Sequence, residues 1–299
     1  MSTSVTLSLS YYPWINQRLD PAALEQTMTQ FAALIETELS QQIGGSAKIT
    51  VLPPLSVPDQ IKDISASPSG SILGKVALMN PIGYALIHEQ VPEVEAVSVV
   101  LRKIGSNPAG PTYRAQIYTN VLTGIKSLAD LRKRSFAFGS PQSTSNFLVP
   151  AYMLWRAGLH PINAFSRLEF AGGHDLAAKA VYEGRVDAGA GHDGVIIDLA
   201  TKPGYSNAAE RLVRIEWSED IPSDPIVVNI PDAKLKEAVL NALLAIAKPN
   251  EPASAANVLI GKFWGTTEGL ATIRPDGYRV LLPYMKHLSI RPEDVLQPF

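Results

Sequence analysis

Three consecutive hydroxyl-bearing residues, Ser143, Thr144 and Ser145, have the types and the spacing to bind an anion. They lie between an apolar stretch at 136–139, predicted to be a buried strand, and an amphipathic helix that stops at Gly158. The first N–H groups of a helix have no intrahelical partner, and the helix dipole places partial positive charge there. Together with three hydroxyl donors, this helix start predicts a pocket for a tetrahedral oxyanion.

Helix capping is a simpler interpretation of the same residues, because serine and threonine commonly cap helices. One cap needs one hydroxyl, however, and the run from Ser143 to Ser145, with Asn146 behind it, supplies more donors than capping requires. This surplus favours a ligand.

Two His-Asp pairs, His174-Asp175 and His192-Asp193, each follow a predicted strand. In open α/β sheets, ligands bind at the carboxyl ends of the strands, so both pairs could face the same crevice as the Ser-Thr-Ser turn. An alternative for the first pair is that Asp175 caps a helix and that His174 is incidental.

Three other kinds of site fit the residues less well. The segment GAGHDG at 189–194 has the spacing of a dinucleotide fingerprint, but it lies late in the chain and carries a histidine and an aspartate that would crowd a pyrophosphate. The serine run lacks the glycines of a hydrolase nucleophile elbow. His174 and His192 lack the spacing of a helical metal site, so we predict no cofactor and no metal.

The composition of the chain excludes several kinds of chemistry and argues against several kinds of partner. The chain has 299 residues, 46% of them hydrophobic, a formal net charge of -2 and no cysteine. The missing cysteine excludes thiol catalysis and disulfides, and the absence of a long basic run argues against nucleic acid as a partner. No apolar stretch approaches the length of a membrane span, and the first residues show no basic and apolar leader, so no signal peptide is visible.

Strands and helices alternate at short intervals, which predicts an α/β protein with parallel sheets covered by helices. From Ala233 onward the pattern becomes mostly helical. The predicted elements before that point include strands at 5–10, 49–52, 76–79, 96–101, 113–119, 168–170 and 186–190, and helices at 21–39, 59–64, 82–88, 127–133 and 175–183.

Four sequence blocks, in order, carry a resemblance to a known family. They are GIKSLADL at 124–131, FAFGSPQSTSNFLVP at 136–150, GGHDLAAKAVYEGRVDAGA at 172–190 and IPSDPIVV at 221–228. In this order and spacing the chain resembles, over about residues 73–230, the phosphate, phosphite and phosphonate substrate-binding proteins of ABC importers.

The resemblance implies a two-lobed periplasmic-binding-protein fold of the second type, with two crossing strands and a ligand cleft between the lobes. The first lobe would combine residues 1–112 with 228–299, and the second would comprise 113–227. The crossing strands would fall near 113–118 and 225–230.

The resemblance also implies a set of ligand-binding residues. The oxyanion would be held by the Ser-Thr-Ser turn and a tyrosine, with a histidine before the following helix, two carboxylates that face the substituent or accept a ligand proton, and wall residues from the first lobe. These map onto Ser143, Thr144, Ser145, Tyr113, His174, Asp193, Asp224, Asn80 and the turn at 12–14.

Two features depart from the family pattern or qualify it. Relatives commonly have glycine after the Ser-Thr-Ser run, where this chain has Asn146. No lysine or arginine lies in the matched turns, so the anion would be held by neutral donors, with Asp193 or Asp224 accepting a ligand proton.

These inferences predict a monomeric solute-binding protein, not an enzyme, that captures a small phosphorus oxyanion for an ABC permease and its ATPase. The full-length protein would lie in the periplasm or be lipid-anchored outside the cytoplasm, although a cytoplasmic location stays open without a visible export signal. The alternatives are a ligand-sensing module of the same fold and an enzyme that uses His174 and His192 as acid and base.

Overall fold

The chain folds into two units, each built on its own β-sheet. The computed structural model describes residues 4–12, 20–105, 108–265 and 267–288. The first unit comprises the described residues up to Thr112 together with Pro222–Arg279, and the second comprises Tyr113–Ile221 and the described residues from Val280 onward. Pro13 and Trp14, part of the predicted wall turn, lie outside the described residues.

Up to residue 102 the elements alternate between strand and helix, as the sequence predicts, and a short strand then follows directly. They are β1 (Ser4–Tyr11), α1 (Pro21–Ile43), β2 (Ser46–Val51), α2 (Val57–Ser65), β3 (Gly74–Leu78), α3 (Pro81–His88), β4 (Glu95–Arg102) and β5 (Thr112–Tyr113).

The elements of the middle segment are shorter. They are β6 (Ala115–Asn120), β7 (Ser135–Phe138), α4 (Val149–Arg156), β8 (Arg167–Phe170), α5 (His174–Tyr182), β9 (Ala188–His192), α6 (Val195–Ala200), α7 (Ala208–Arg211), β10 (Leu212–Trp217) and β11 (Ile221–Pro222). The last segment adds β12 (Pro225–Asn229), α8 (Ala233–Ile246), α9 (Ala255–Trp264), β13 (Thr267–Thr272) and α10 (Leu282–His287).

Helix α1 shows how local sequence sets these elements. Asp20 caps its start by accepting a hydrogen bond from the Ala23 N–H at 2.8 Å, and Pro21 occupies the first turn as predicted. Gly44 ends it in a left-handed conformation, with φ of 58°. Its buried residues recur with helical spacing and pack into the core of the first unit with residues of β1, α8 and α9.

The sheet of the first unit has the order β13-β4-β12-β3-β1-β2. Strands β1, β2 and β3 run parallel, whereas β12 is antiparallel to both β3 and β4. Strand β4 therefore runs in the same direction as β3. The carboxyl ends of β1, β3 and β4 consequently lie at one edge of this sheet, and β12 begins at that same edge.

The sheet of the second unit has the order β10-β6-β9-β7-β8. Strands β7, β8 and β9 are parallel, and β6 is antiparallel to β9. The expectation of parallel sheets is therefore met only in part, because each sheet combines parallel strands with antiparallel ones. The physical reason is the same in each: β6 and β12 enter their sheets from the edge where the parallel strands end, so they must run in the opposite direction.

The division into units differs from the predicted lobes in two places. Residues 222–227 group with the first unit, because β12 pairs with β3 and β4, and the described residues from Val280 group with the second, where Tyr284 stacks on Tyr152 with ring centroids 4.4 Å apart. The predicted crossing strands at 113–118 and 225–230 consist largely of β6 and β12, which are strands of the two large sheets. That these units act as functional lobes stays a prediction.

Among the described helices, none combines the length and the apolar character that crossing a bilayer requires.

Candidate functional site

The predicted residues of the second unit lie at one edge of its sheet. The parallel strands β7, β8 and β9 end at Phe138, Phe170 and His192, and Ala115, at the start of β6, pairs with His192. The residues just outside these strand ends therefore share the edge. They are Tyr113, the turn at 139–145, His174 and Asp193.

The Ser-Thr-Ser run begins a helix, as the sequence predicts, but its first turn is π-helical rather than α-helical. Ser143 is the N-cap, and its hydroxyl accepts a hydrogen bond from the Asn146 N–H at 3.1 Å. The π-helical turn Thr144–Leu148 leads directly into α4, and the Leu148 N–H bonds the Ser143 carbonyl five residues earlier at 3.1 Å. A π turn leaves one more N–H at the helix start without an intrahelical partner than an α turn does.

Pro150 leaves the Asn146 carbonyl without a helical donor. Proline has no N–H, and its ring would clash with the carbonyl four residues earlier, which belongs to Asn146. The Asn146 carbonyl accepts a long hydrogen bond from the Gly139 N–H instead, at 3.4 Å. This carbonyl therefore faces the end of β7.

Asn146 ties the helix start to the end of β7. Its side-chain Oδ1 accepts a hydrogen bond from the Gly139 N–H, and its amide group packs against the Gly139 Cα, where a Cβ would lie 2.4 Å from Nδ2. Asn146 is fully buried, and within the described residues its Nδ2 has no hydrogen-bond partner. The residue that departs from the family pattern is thus a structural member of the turn.

The three hydroxyl-bearing residues are buried at the start of this helix. Ser145 is only 3% exposed, yet its hydroxyl makes no hydrogen bond to any part of the chain that the structure describes. The Ser145 Oγ is not among the fully buried atoms without a partner, so it keeps some accessible surface and can donate to a ligand or to water. The Ser143 hydroxyl, in contrast, is engaged as the cap.

His174 and His192 lie together, with ring centroids 4.8 Å apart. His174 Nδ1 accepts a hydrogen bond from the His192 backbone N–H at 3.3 Å, and His192 Nδ1 accepts one from the Gly194 N–H at 3.1 Å. Each neutral ring therefore carries its proton on Nε2, because Nδ1 is an acceptor. His192 Nε2 lies 3.5 Å from the Asp198 Oδ2.

Asp193 is held by the strand beside it. Its Oδ2 accepts a hydrogen bond from the Arg114 N–H at 3.0 Å, and its own N–H donates to the Arg114 carbonyl at 2.9 Å. Tyr113, directly before Arg114, is buried. The chain thus brings Tyr113 and Asp193 to the same corner of the second unit.

Asp175 does not cap helix α5, so the capping alternative for the first His-Asp pair is wrong. The N-cap is Gly173, which has no side chain to offer, and Asp175 lies in the first turn, where it forms an ion pair with Lys202. His174 is the first residue of the helix.

The predicted residues of the first unit also lie at one sheet edge. Tyr12 follows β1, Asn80 follows β3 and Asp224 precedes β12, and all three positions lie at the edge where β1, β3 and β4 end. Asn80 caps helix α3, because its Oδ1 accepts a hydrogen bond from the Gly83 N–H at 2.8 Å.

Asp224 is buried between a tyrosine and an arginine. The Tyr12 hydroxyl lies 3.3 Å from Oδ1, and the Arg102 Nη1 lies 3.6 Å from Oδ2. Burial raises the pKa of the Asp224 carboxyl above its ordinary value, while Arg102 and the Tyr12 hydrogen bond oppose that rise. Burial is the largest of these causes.

Arg102 is the residue that the sequence did not single out. It ends β4, outside the four matched blocks, and its partner lies 122 positions later in the chain. The sequence does contain one signal for it, which is an arginine directly after a predicted buried strand. Such a residue lies at the carboxyl end of its strand, where ligands bind in open α/β sheets. That neutral donors hold the anion stays a prediction, and the structure adds that a cation, Arg102, lies beside the Asp224 carboxylate.

Among residues 4–12, 20–105, 108–265 and 267–288, no three His, Asp or Glu side chains converge so as to hold a metal ion.

Comparison with known protein sequences finds one family model and several relatives that match this chain. The model of the family described as ABC transporter, phosphonate, periplasmic substrate-binding protein matches residues 17–267. The chain is 41% identical to a probable ABC transporter phosphite binding protein of Prochlorococcus marinus over 73 residues. These aligned residues are 24% of each chain. It is 29% identical to a phosphate-import protein of Mycolicibacterium smegmatis over 146 residues. That alignment covers 46% of this chain and 44% of the relative. These alignments span less than half of the relatives' own length.

Comparison with solved structures confirms the predicted fold class. The structure of PhnD1 from Prochlorococcus marinus in complex with methylphosphonate is similar with a TM-score of 0.65 and 17% identity. The similarity covers 96% of this chain and 99% of that one. At this identity the likeness concerns the fold, which is the two-lobed α/β fold of periplasmic binding proteins.

A methyl group at Gly139 is predicted to disrupt the oxyanion turn. In Gly139→Ala the new Cβ would overlap the Asn146 amide, so Asn146 must move and lose its bond to residue 139. We expect a loss of about 1–3 kcal/mol in the free energy of unfolding, measured by chemical denaturation. Gly277→Ala is the control, because no atom lies within 4 Å of its Cβ position. Equal stability of the two variants would contradict this packing.

The Asp224 carboxyl is predicted to titrate above the ordinary aspartate pKa of 3.8, whereas Asp130, which accepts hydrogen bonds from Lys126 and Ser127, titrates below it. Carboxyl ¹³C NMR titration would measure both midpoints, and Asp130 serves as the internal control. An Asp224 midpoint at or below that of Asp130 would show that the carboxyl is not desolvated.

The raised pKa of Asp224 also predicts a pH dependence of stability. Its contribution to folding is fully present below the unfolded-state pKa and is lost as the pH rises through the folded-state value. The free energy of unfolding of the wild type relative to Asp224→Asn should therefore fall as the pH rises from about 4, by at most about 1.4 kcal/mol per pH unit. A difference that is flat or rises with pH would contradict this.

Proposed function

Since this chain belongs to the family of periplasmic substrate-binding proteins of phosphonate ABC transporters, we propose that it captures a small phosphorus oxyanion for import. The proposed ligands are phosphonate, phosphite or phosphate. The relatives' names refer to phosphite and phosphate, and one similar structure contains methylphosphonate.

The Ser145 hydroxyl, which has no hydrogen-bond partner within the described residues, is the observation that carries this proposal. It lies at the start of a helix, next to N–H groups without intrahelical partners, and it makes no hydrogen bond within the described residues. A tetrahedral oxyanion supplies several acceptors at once, so it would satisfy this hydroxyl and the neighbouring N–H groups together. A capping role would not leave this hydroxyl unused.

His174 and Tyr113 supply further donors in the proposal. His174 Nδ1 is occupied by the His192 N–H, so the neutral ring presents Nε2–H as a fixed donor. Tyr113 lies at the same sheet edge and carries a hydroxyl that can donate to a ligand oxygen. Both groups donate without carrying a formal charge.

Asp193 is the proposed acceptor for a ligand proton. Its carboxylate is oriented by the Arg114 N–H and lies at the sheet edge that carries the donors. A carboxylate favours an oxyanion that still bears a proton and disfavours sulfate, which has no proton to donate at neutral pH. From the first unit, Asn80 and Asp224 are the proposed additional ligand residues, at the corresponding edge of its sheet.

The proposed role fixes the partners and the location. The full-length protein acts in the periplasm, or anchored by lipid outside the cytoplasm, and delivers its ligand as a monomer to a permease with its ATPase. It returns the ligand chemically unchanged, so ³¹P NMR should find the same compound after hours of incubation.

Alanine at position 145 should remove ligand binding without removing stability. Because the Ser145 hydroxyl makes no bond within the described residues, we expect Ser145→Ala to change the free energy of unfolding by less than about 0.5 kcal/mol. Loss of one hydrogen bond to a charged ligand should weaken binding of methylphosphonate or phosphite roughly tenfold or more, measured by calorimetry.

The controls separate ligand binding from helix capping. Ser254 caps α9 in the way that Ser143 caps the oxyanion turn, by accepting a hydrogen bond from the N–H three residues on. Ser254→Ala should cost about 1 kcal/mol of stability and leave affinity unchanged. Wild-type affinity of Ser145→Ala for every phosphorus oxyanion tested, or preference of the wild type for sulfate, would refute the proposed function.

A further inference from the structure

Asn146 holds both ends of the segment that leads from β7 into the Ser-Thr-Ser helix. Its N–H donates to the Ser143 hydroxyl at 3.1 Å, and its Oδ1 accepts a hydrogen bond from the Gly139 N–H. The Gly139 carbonyl in turn accepts a hydrogen bond from the Gly172 N–H at 2.7 Å. One buried side chain therefore connects the helix start, the end of β7 and the loop that leads to His174.

The hydrogen bonds of this side chain do not require an amide. The Gly139 N–H needs an acceptor, and a carboxylate oxygen would serve as well as the amide Oδ1. The Asn146 Nδ2 is buried and has no hydrogen-bond partner within the described residues, which destabilises the fold. An aspartate would leave no such donor, so hydrogen bonding alone favours aspartate at this position.

The position within the helix favours an acid as well. Ser143 is the N-cap and Asn146 lies three residues later, where acidic side chains stabilise a helix start. Helix α2 follows this rule, because the N-cap Ser56 donates its hydroxyl to the Asp59 carboxylate at 2.5 Å. Two local preferences thus point to an acid at position 146, and the chain has a neutral amide there.

A negative charge at this position would oppose an anionic ligand. Asn146 belongs to the same helix turn as Ser145, whose hydroxyl is the proposed ligand donor. A carboxylate in this turn would repel an incoming anion, and it would itself interact with the positive end of the helix dipole. The amide avoids both effects and keeps the acceptor that Gly139 needs.

We propose that Asn146 is a positioning residue that fixes the Ser-Thr-Ser turn while it keeps the helix start uncharged, so that the positive end of the helix is available to an external anion. This inference rests on the proposed function, because it assumes that the anion binds at this helix start.

Asn146→Asp tests the inference, because it keeps the shape and the acceptor and adds one negative charge. At neutral pH, calorimetry should find that methylphosphonate binds about a hundredfold more weakly than to the wild type, because two like charges then lie close together. The apparent melting temperature should fall by less than about 3 °C, since the bond to Gly139 is kept.

The pH profile separates this charge effect from a structural defect. Protonation makes the new carboxyl neutral, and a bound anion favours the protonated form. The affinity of Asn146→Asp relative to the wild type at the same pH should therefore recover at least about tenfold as the pH is lowered from about 7 to about 4.5. A distorted turn would give no such recovery.

Asn257→Asp is the matched control, because α9 begins with the same arrangement. The Asn257 N–H donates to the hydroxyl of the N-cap Ser254 at 3.3 Å, but Nδ2 here donates to the carbonyls of Lys248 and Glu251, both at 2.9 Å. Aspartate would lose both bonds, so the apparent melting temperature should fall by about 5 °C or more. Affinity for methylphosphonate should stay within about twofold of the wild type, since a first-unit helix cap has no part in the proposed anion site.

Three results would overturn the inference and leave the proposed function in place. They are wild-type affinity of Asn146→Asp at neutral pH, a loss of affinity that does not recover on acidification, and a large loss of stability without loss of affinity. The last result would show that burial of the side chain, and not the ligand, requires a neutral residue.

A measurement on the wild type decides the matter if circular dichroism shows that Asn146→Asp does not fold. Because Asn146 engages the Gly139 N–H before any ligand arrives, this amide should exchange slowly with solvent in the ligand-free protein and keep its chemical shift when methylphosphonate binds. Rapid exchange, or a large shift on binding, would overturn the inference. Failure of the wild type to bind any phosphorus oxyanion would refute the proposed function, and this inference with it.

Discussion

The site depends on one constraint: strands that run in the same direction end at the same edge of their sheet, where the chain must leave and find new hydrogen-bond partners. In the second unit this edge carries the helix start at Ser143, the first residue of α5 and the end of β9. In the first unit it carries Tyr12, Asn80, Arg102 and Asp224. Residues far apart in sequence become neighbours within each unit because the sheet order places their strands side by side.

The two edges have different electrostatic character. The described donors in the second unit are neutral: hydroxyls, backbone N–H groups and an imidazole whose Nδ1 is already an acceptor. Its ion pair between Asp175 and Lys202 neutralises the acid in the first turn of α5, so that acid adds no net charge beside the donors. In the first unit a carboxylate and a guanidinium offset each other. Neutral donors that are already oriented can hold an anion without a compensating cation, as helix starts commonly do.

Much of this arrangement was predictable from the sequence, and the failures have identifiable causes. The helix start at Ser143, the helix from Pro21 and the α/β class follow from local signals: hydroxyl residues before an apolar periodic segment, proline in a first turn, and alternation of element types. The π turn was not predicted, because the spacing of apolar residues does not distinguish a π turn from an α turn over so short a segment. Arg102 was missed because its contact with Asp224 depends on the order β4-β12-β3, which no local pattern contains.

The central claim is that the start of the Ser-Thr-Ser helix is where a phosphorus oxyanion binds. Amide ¹H–¹⁵N NMR with added methylphosphonate tests it most directly, because an N–H that donates to an anion shifts downfield. The account predicts large downfield shifts for the amides of Thr144 and Ser145 and none for those at the start of α9, after Ser254. Saturable binding that shifts other amides and leaves Thr144 and Ser145 unmoved would contradict it.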